Sequence, residues 1–198
     1  MNKTNFAILK SAVILALASL VFAPSLSIAQ PTSDATSEHS RYDKKVNDWL
    51  STIQTIIISN DRLQFGQAVE IAAKAIKRAD KKSGGENDAV AGYILAHQSL
   101  AQTNYLLVYS QLPPVKALEE AAVVYQFNEQ YSGPLDASSI SILTVMAQLT
   151  EARALKHAGD SAAALQKFDD AIALLGTIEG GNEYIWIVQN ERMFAEEL

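Results

Sequence analysis

Cysteine is absent from all 198 residues. That excludes a disulfide framework, thiol catalysis and the lipid-bearing cysteine of a bacterial lipoprotein. Positive charge is scarce, with 16 Lys and Arg against 22 Asp and Glu. The longest basic cluster, "KAIKRADKK" (Lys74, Lys77, Arg78, Lys81, Lys82), falls at the end of a predicted helix, where it complements the helix dipole. No basic stripe is left to neutralise phosphates, so nucleic acid is disfavoured as a partner. Histidine occurs only at His39, His97 and His157, with no H-E-x-x-H and no third ligand at zinc spacing, so no metal is expected. G-x-S-x-G, a phosphate loop and a Ser/Lys pair at known spacing are all missing. The acid pairs Glu119–Glu120, Asp169–Asp170 and Glu196–Glu197 are adjacent on predicted helices and point about 100° apart, so they cannot share a proton or flank one bond. The expectation is a protein without catalytic residues or cofactor, whose output is contact and not turnover.

What is present begins with "MNKTNFAILKSAVILALASLVFAPSLSIAQPTS". Lys3 and Lys10 form a positive start, Ser11 to Phe22 an apolar stretch, and Ser27-Ile28-Ala29 a small-x-small cleavage site. This is the pattern of a secretory signal peptide over residues 1–29, cut after Ala29, with Ala23 as the second choice. The apolar run is roughly a dozen residues against about 20 for a bilayer span, so no transmembrane segment is expected once the signal is removed. Export to a bacterial periplasm is the expectation, with secretion as the alternative. Removal takes two lysines and no acid, leaving 14 basic against 22 acidic residues, a formal charge of −8. Residues 30–40, "QPTSDATSEHS", are polar and turn-rich and read as a disordered tether.

Strand alternation is also lacking, apart from the short "TIIIS" at 55–59. That run continues a helical pattern set by Val46, Trp49, Leu50 and Ile53. The periodicity predicts seven helices over 41–58, 61–81, 87–110, 114–130, 137–157, 160–175 and 182–197. Their boundaries have chemistry: Ser59-Asn60-Asp61 to cap the second helix, Pro113-Pro114 at the start of the fourth, Asp136 before the fifth, and Gly159-Asp160 between the fifth and sixth.

The helices repeat in pairs. Ala68, Ala117 and Ala164 each open a similar stretch ("AVEIAAKAI", "ALEEAAVVY", "ALQKFDDAI"), and sixteen residues after each alanine stands Gly84, Gly133 or Gly180. Copies are thus 49 and 47 residues apart. The expectation is all-α: a short right-handed α-solenoid of about three helical hairpins plus a C-terminal capping helix, spanning 41–198.

The third hairpin resembles a tetratricopeptide repeat. Ala152, Leu155, Gly159, Asp160, Ala164, Phe168 and Ala171 fall where that family places its small, large and turn residues. Glu151, Gln148 and Gly176 depart from its pattern, and the period is longer than the family's. The resemblance implies a concave groove along the first helix of each hairpin, taking a partner protein or peptide. The side chains it would use are Arg153, Lys156 and His157 with His97, Asn104 and Val108, the bases suiting a carboxylate. Two alternatives stand beside it. One is a small exported helical enzyme or ligand binder with a pocket under "SGPLDASS" at 132–139. The other is a homo-oligomerisation element docking through the last helix, which marks a dimer contact if its second apolar face is left uncovered.

Overall fold

Periodic apolar residues put nearly all of the chain's interior onto helices, and each helix stops for a local reason. The computed structural model describes residues 44–83, 89–133 and 135–196. The expected signal peptide (1–29), the expected tether (30–40) with His39, and Gly84 lie outside these described residues. The helices are α1 (Lys44–Ile58), α2 (Phe65–Ser83), α3 (Ala89–Val108), α4 (Pro114–Gln130), α5 (Ala137–His157), α6 (Ser161–Leu175) and α7 (Asn182–Glu196). Among the described residues there is no strand, and no helix is long and apolar enough to cross a membrane. The fold is all-α.

The starts follow the predicted caps in α5 and α6. Asp136 accepts from Ser139 N–H at 2.7 Å, and Asp160 accepts from Ala163 N–H at 3.1 Å. The second helix differs, beginning at Phe65 and not at residue 61. Asp61 instead closes a turn, taking Gln64 N–H on its carbonyl (2.9 Å) and the Gln64 amide on its carboxylate (2.6 Å).

The ends of α1, α3 and α5 are equivalent. After α5, Gly159 has φ +84°, its N–H reaches Lys156 O (3.1 Å), and Asp160 N–H reaches Leu155 O (3.0 Å), a Schellman motif. After α1 the left-handed residue is Asn60 (φ 53°), and after α3 it is Ser110 (φ 52°). Asp61 N–H returns to Ile56 O (3.1 Å) and Gln111 N–H to Leu106 O (2.9 Å). These three positions are 50 and 49 residues apart, close to the spacing of the alanines. The repeat is therefore carried by the turn as well as by the helix after it. Serine in this region is strained by its Cβ. Ser110→Gly is expected to raise unfolding stability by up to about 1 kcal/mol, checked by denaturant melts against Ser110→Ala, which should not gain.

Packing follows chain order, each helix against the next, with α1 also on α3 and α5, α3 on α5, and α7 on α1. The even-numbered helices form the outer layer. They bury equivalent faces: Ala68, Ala72, Ala75 and Ala79 on α2; Ala117, Ala121 and Val124 on α4; Ala164, Phe168, Ala171 and Leu175 on α6. Small side chains at i, i+4, i+7 let neighbouring helices approach closely. Ala164 is fully buried, so Ala164→Leu is expected to destabilise by about 1–3 kcal/mol through overpacking, read from the thermal melt. Gly133, the second glycine of the sequence pattern, is not left-handed. Its missing Cβ leaves room for the Tyr131 hydroxyl and for Ala89.

The odd-numbered helices form the inner layer, and they converge. In an open array α3 would hold α1 and α5 apart, whereas here α1 packs directly on α5 and reaches α7. That contact decides where the candidate site residues go.

Candidate functional site

Along α3, two polar side chains seven residues apart turn inward, one on each of two belts across the inner layer. At the first belt His97 is fully buried. Its Nδ1 faces Tyr93 O at 3.1 Å, so Nδ1 carries the proton. Nε2 is then left to accept from the Gln54 amide of α1 at 3.3 Å. The same amide donates to the Tyr93 hydroxyl (3.2 Å), which donates on to Ser139 O in α5 (2.8 Å). Burial holds the Tyr93 phenol well above its usual range, so it stays neutral. Burial also pushes His97 down to about 4, partly offset by the hydrogen bond to Tyr93 O.

The sign of the resulting pH dependence follows. Unfolded, His97 takes a proton near pH 6.5; folded, it resists until about pH 4. Between those values only the unfolded chain binds the proton, so stability is complete above the window and falls as pH drops through it. The loss expected from this group is about 2–3 kcal/mol between pH 7 and pH 4. Paired melts at those pH values should show a shallower loss for His97→Gln than for the unaltered chain.

At the second belt Asn104 is fully buried and Arg153 is 6% exposed. Arg153 grips Glu191 of α7 through two bonds, Nε to Oε1 and Nη2 to Oε2, each 2.9 Å. It also donates to Asn104 Oδ1 (3.0 Å) and to Ile57 O at the end of α1 (3.0 Å). Its guanidinium lies 5.9 Å from the Phe65 ring centre. Asn104 Nδ2 donates to Thr150 Oγ1 (2.6 Å) and to Leu100 O (2.8 Å), and Asn60 Nδ2 donates to Glu191 Oε1 (2.8 Å). One guanidinium thus ties α1, α3, α5 and α7 together, and each of its polar contacts is charge-assisted or directed at a carbonyl.

This arrangement corrects the expectation that His97, Asn104 and Arg153 line an open groove. Their side chains do share an inner face, as the repeat register implied. Because α1 lies over α5 and α7 supplies a carboxylate, that face is sealed, and Arg153 already holds the anion it was expected to offer a partner. A cavity lined by Gln54, Ile58, Ile142, Gly180 and Tyr184, with none of His97, Asn104 and Arg153 in its wall, amounts to about 10 Å³, room for one water at most.

The other three predicted residues, Val108, Lys156 and His157, lie at the end of the bundle where α3 and α5 stop. His157 is exposed and Val108 and Lys156 are half-buried. His157 lines an open cleft of about 330 Å³ with Leu107, the turn Ser110-Gln111-Leu112 and Pro113-Pro114. The cleft is electropositive for three reasons. Partial desolvation first, and then the charges of Arg62, from the α1–α2 turn, and of Lys156, hold the His157 pKa below its usual value. The N-terminus of α4 opens there with Pro113 at the cap and no side chain on its first amides. Gln111, Arg62 and the turn backbone were not in the predicted set, because helix periodicity says nothing about which turns meet.

His97 and His157 do not meet, and among the described residues no three His, Asp or Glu side chains gather as metal ligands do. Neither of these two cavities is lined by a residue of the 132–139 loop. No protein-family model, curated protein or solved structure matches this chain.

Proposed function

We propose that the chain is an exported, tetratricopeptide-like helical module, a right-handed array of three hairpins closed by a fourth first-helix. It works in the periplasm or, alternatively, after secretion. It binds a partner protein or peptide and carries out no chemistry of its own. The partner seat is the end cleft and not the inner face. The observation that carries the reading is the cleft itself: about 330 Å³, apolar at Leu107 and Leu112, hydrogen-bonding at Ser110, Gln111 and His157, with the positive charges of Arg62 and Lys156 near His157. A cleft of that charge in an acidic chain suits an extended segment bearing a carboxylate, with apolar contact for its body and a polar anchor for its charge.

A photocrosslinking side chain placed at Gln111, with the same group at Lys74 on the exposed face of α2 as control, tests this in the cells that make the protein. A discrete adduct from position 111 alone, reduced several-fold by His157→Glu, is the expected result. Identical products from both positions would remove the cleft from the argument.

A further inference from the structure

Six of the 14 basic residues that follow residue 29 stand at one end of the first hairpin. The helices α1 and α2 pack on each other across a six-residue turn, so the end of α2 lies beside the start of α1. On α2, Lys74, Lys77, Arg78 and Lys81 are exposed. At about 100° per residue they share an arc of about 100°, on the side away from the buried Ala68, Ala72, Ala75 and Ala79. Lys44 and Lys45 are exposed at the adjoining start of α1, where the Lys45 ammonium lies 5.3 Å from the Trp49 ring centre. The described acids on these two stretches are Asp48, Glu70 and Asp80, which leaves a surplus of three positive charges (six against three).

The helix dipole does not account for this set. It favours positive charge within the last turn, which explains Lys81 in α2 (Phe65–Ser83). Lys74, Lys77 and Arg78 lie in earlier turns, and Lys44 and Lys45 open a helix, where positive charge is unfavourable. Nor is Lys74 held as cations elsewhere are. Lys116, Arg153, Lys167 and Arg192 each have a carboxylate within 3.0 Å, whereas Lys74 has Glu70 at 4.0 Å.

The occupant follows from the charge and from what precedes Lys44. Residues 30–43, a polar link of 14 residues, separate α1 from the expected signal peptide. A flexible link of that length reaches about 20 Å, so the positive end emerges beside the bilayer that the signal engages. We infer that the outer face of α2, with the start of α1, docks on the anionic phospholipids of that bilayer, Lys74, Lys77 and Lys81 lying at the phosphates. The inference rests on the export reading above. Each Lys or Arg near such a surface strengthens binding about fivefold. The helix α2 packs on α1 and α3, so the acids of α6 and α7 stand at least one helix diameter (about 10 Å) from its outer face. That exceeds the roughly 8 Å over which charges act at physiological salt, so the acidic remainder of the chain does not cancel the attraction.

The test is cosedimentation of the purified chain, as its cell processes it, with phosphatidylcholine vesicles containing about one-third phosphatidylglycerol. Retention is expected on these vesicles and not on phosphatidylcholine alone, and it should vanish at about 1 M salt. Lys77→Gln with Lys81→Gln should weaken binding about 25-fold, from about fivefold for each charge. Lys116→Gln with Lys167→Gln removes the same charge from other helices and should leave binding within about twofold. No retention on anionic vesicles, or equal weakening by the two double variants, would overturn the inference. Release of the bound chain by a short DNA duplex at equal phosphate concentration would give the face to nucleic acid, and would overturn it too. The mass of the purified chain, with or without residues 1–29, reports export separately. None of these results bears on the cleft at His157, which is probed from Gln111.

Discussion

Glu191→Ala is expected to lower unfolding stability by about 3–5 kcal/mol, because it breaks a buried ion pair and strands its cation. Glu191 is 9% exposed and Arg153 6%, and the guanidinium cannot shed its proton to escape an empty site. Removing the carboxylate leaves a buried charge with only Asn104 Oδ1 and Ile57 O as partners. It also leaves Asn60 Nδ2 without its acceptor. Denaturant midpoints measure the loss. Two controls give it meaning. Arg153→Met combined with Glu191→Leu removes both charges and restores apolar packing, and should recover most of the stability, because a buried pair contributes little beyond well-packed hydrophobic replacements. Lys167→Ala removes a pair with Glu151 whose partners are 31% and 20% exposed, and should change the midpoint far less. If the double replacement melts as low as Glu191→Ala, the loss comes from packing of α7 and not from the stranded charge.

That pair also explains how much the sequence could reveal. Helix periods, the Pro113-Pro114 start and the Asp136 and Asp160 caps were all legible, because each is a local interaction within a few residues. His97, Asn104 and Arg153 were singled out by the resemblance of the third hairpin to a tetratricopeptide repeat, which set them on first helices; all three are buried. What could not be read was whether the inner face of those helices stays open. This depends on α1 reaching α5 and on Glu191, 38 residues beyond Arg153, turning inward from a helix whose other side is equally apolar. Periodicity assigned Trp186 and Val188 to α7 without saying which face would be covered. The Schellman ends of α1 and α3 were hidden differently. Asn60 and Ser110 take the left-handed position that Gly159 advertises openly, and neither is a reliable stop signal by itself. The glycine spacing that suggested the repeat rested on mixed causes. Gly180 is left-handed at φ +74°, whereas Gly133 makes room for a side chain.

Phe168→Ala should destabilise by about 3–5 kcal/mol and, more tellingly, should loosen one end of the molecule before the rest. The residue is fully buried at a position where α2 has Ala72 and α4 has Ala121, also buried. Those helices sit between two neighbours already close enough for a methyl group to fill the gap. The outer helix α6 has α5 on one side and, on the other, a last helix with few buried side chains of its own. Phe168 is the larger side chain at this position, and cutting it back leaves a cavity in α6, which packs on that last helix. Hydrogen exchange on Phe168→Ala is therefore expected to speed first in α6 and α7, with α2 and α3 protected almost as in the unaltered chain. Phe168→Leu, which keeps most of the volume, should cost less than half as much. Uniform loss of protection across all helices would instead mean that the array unfolds as one unit, and that the closure of α1 onto α5 binds the ends more tightly than the hairpin order suggests.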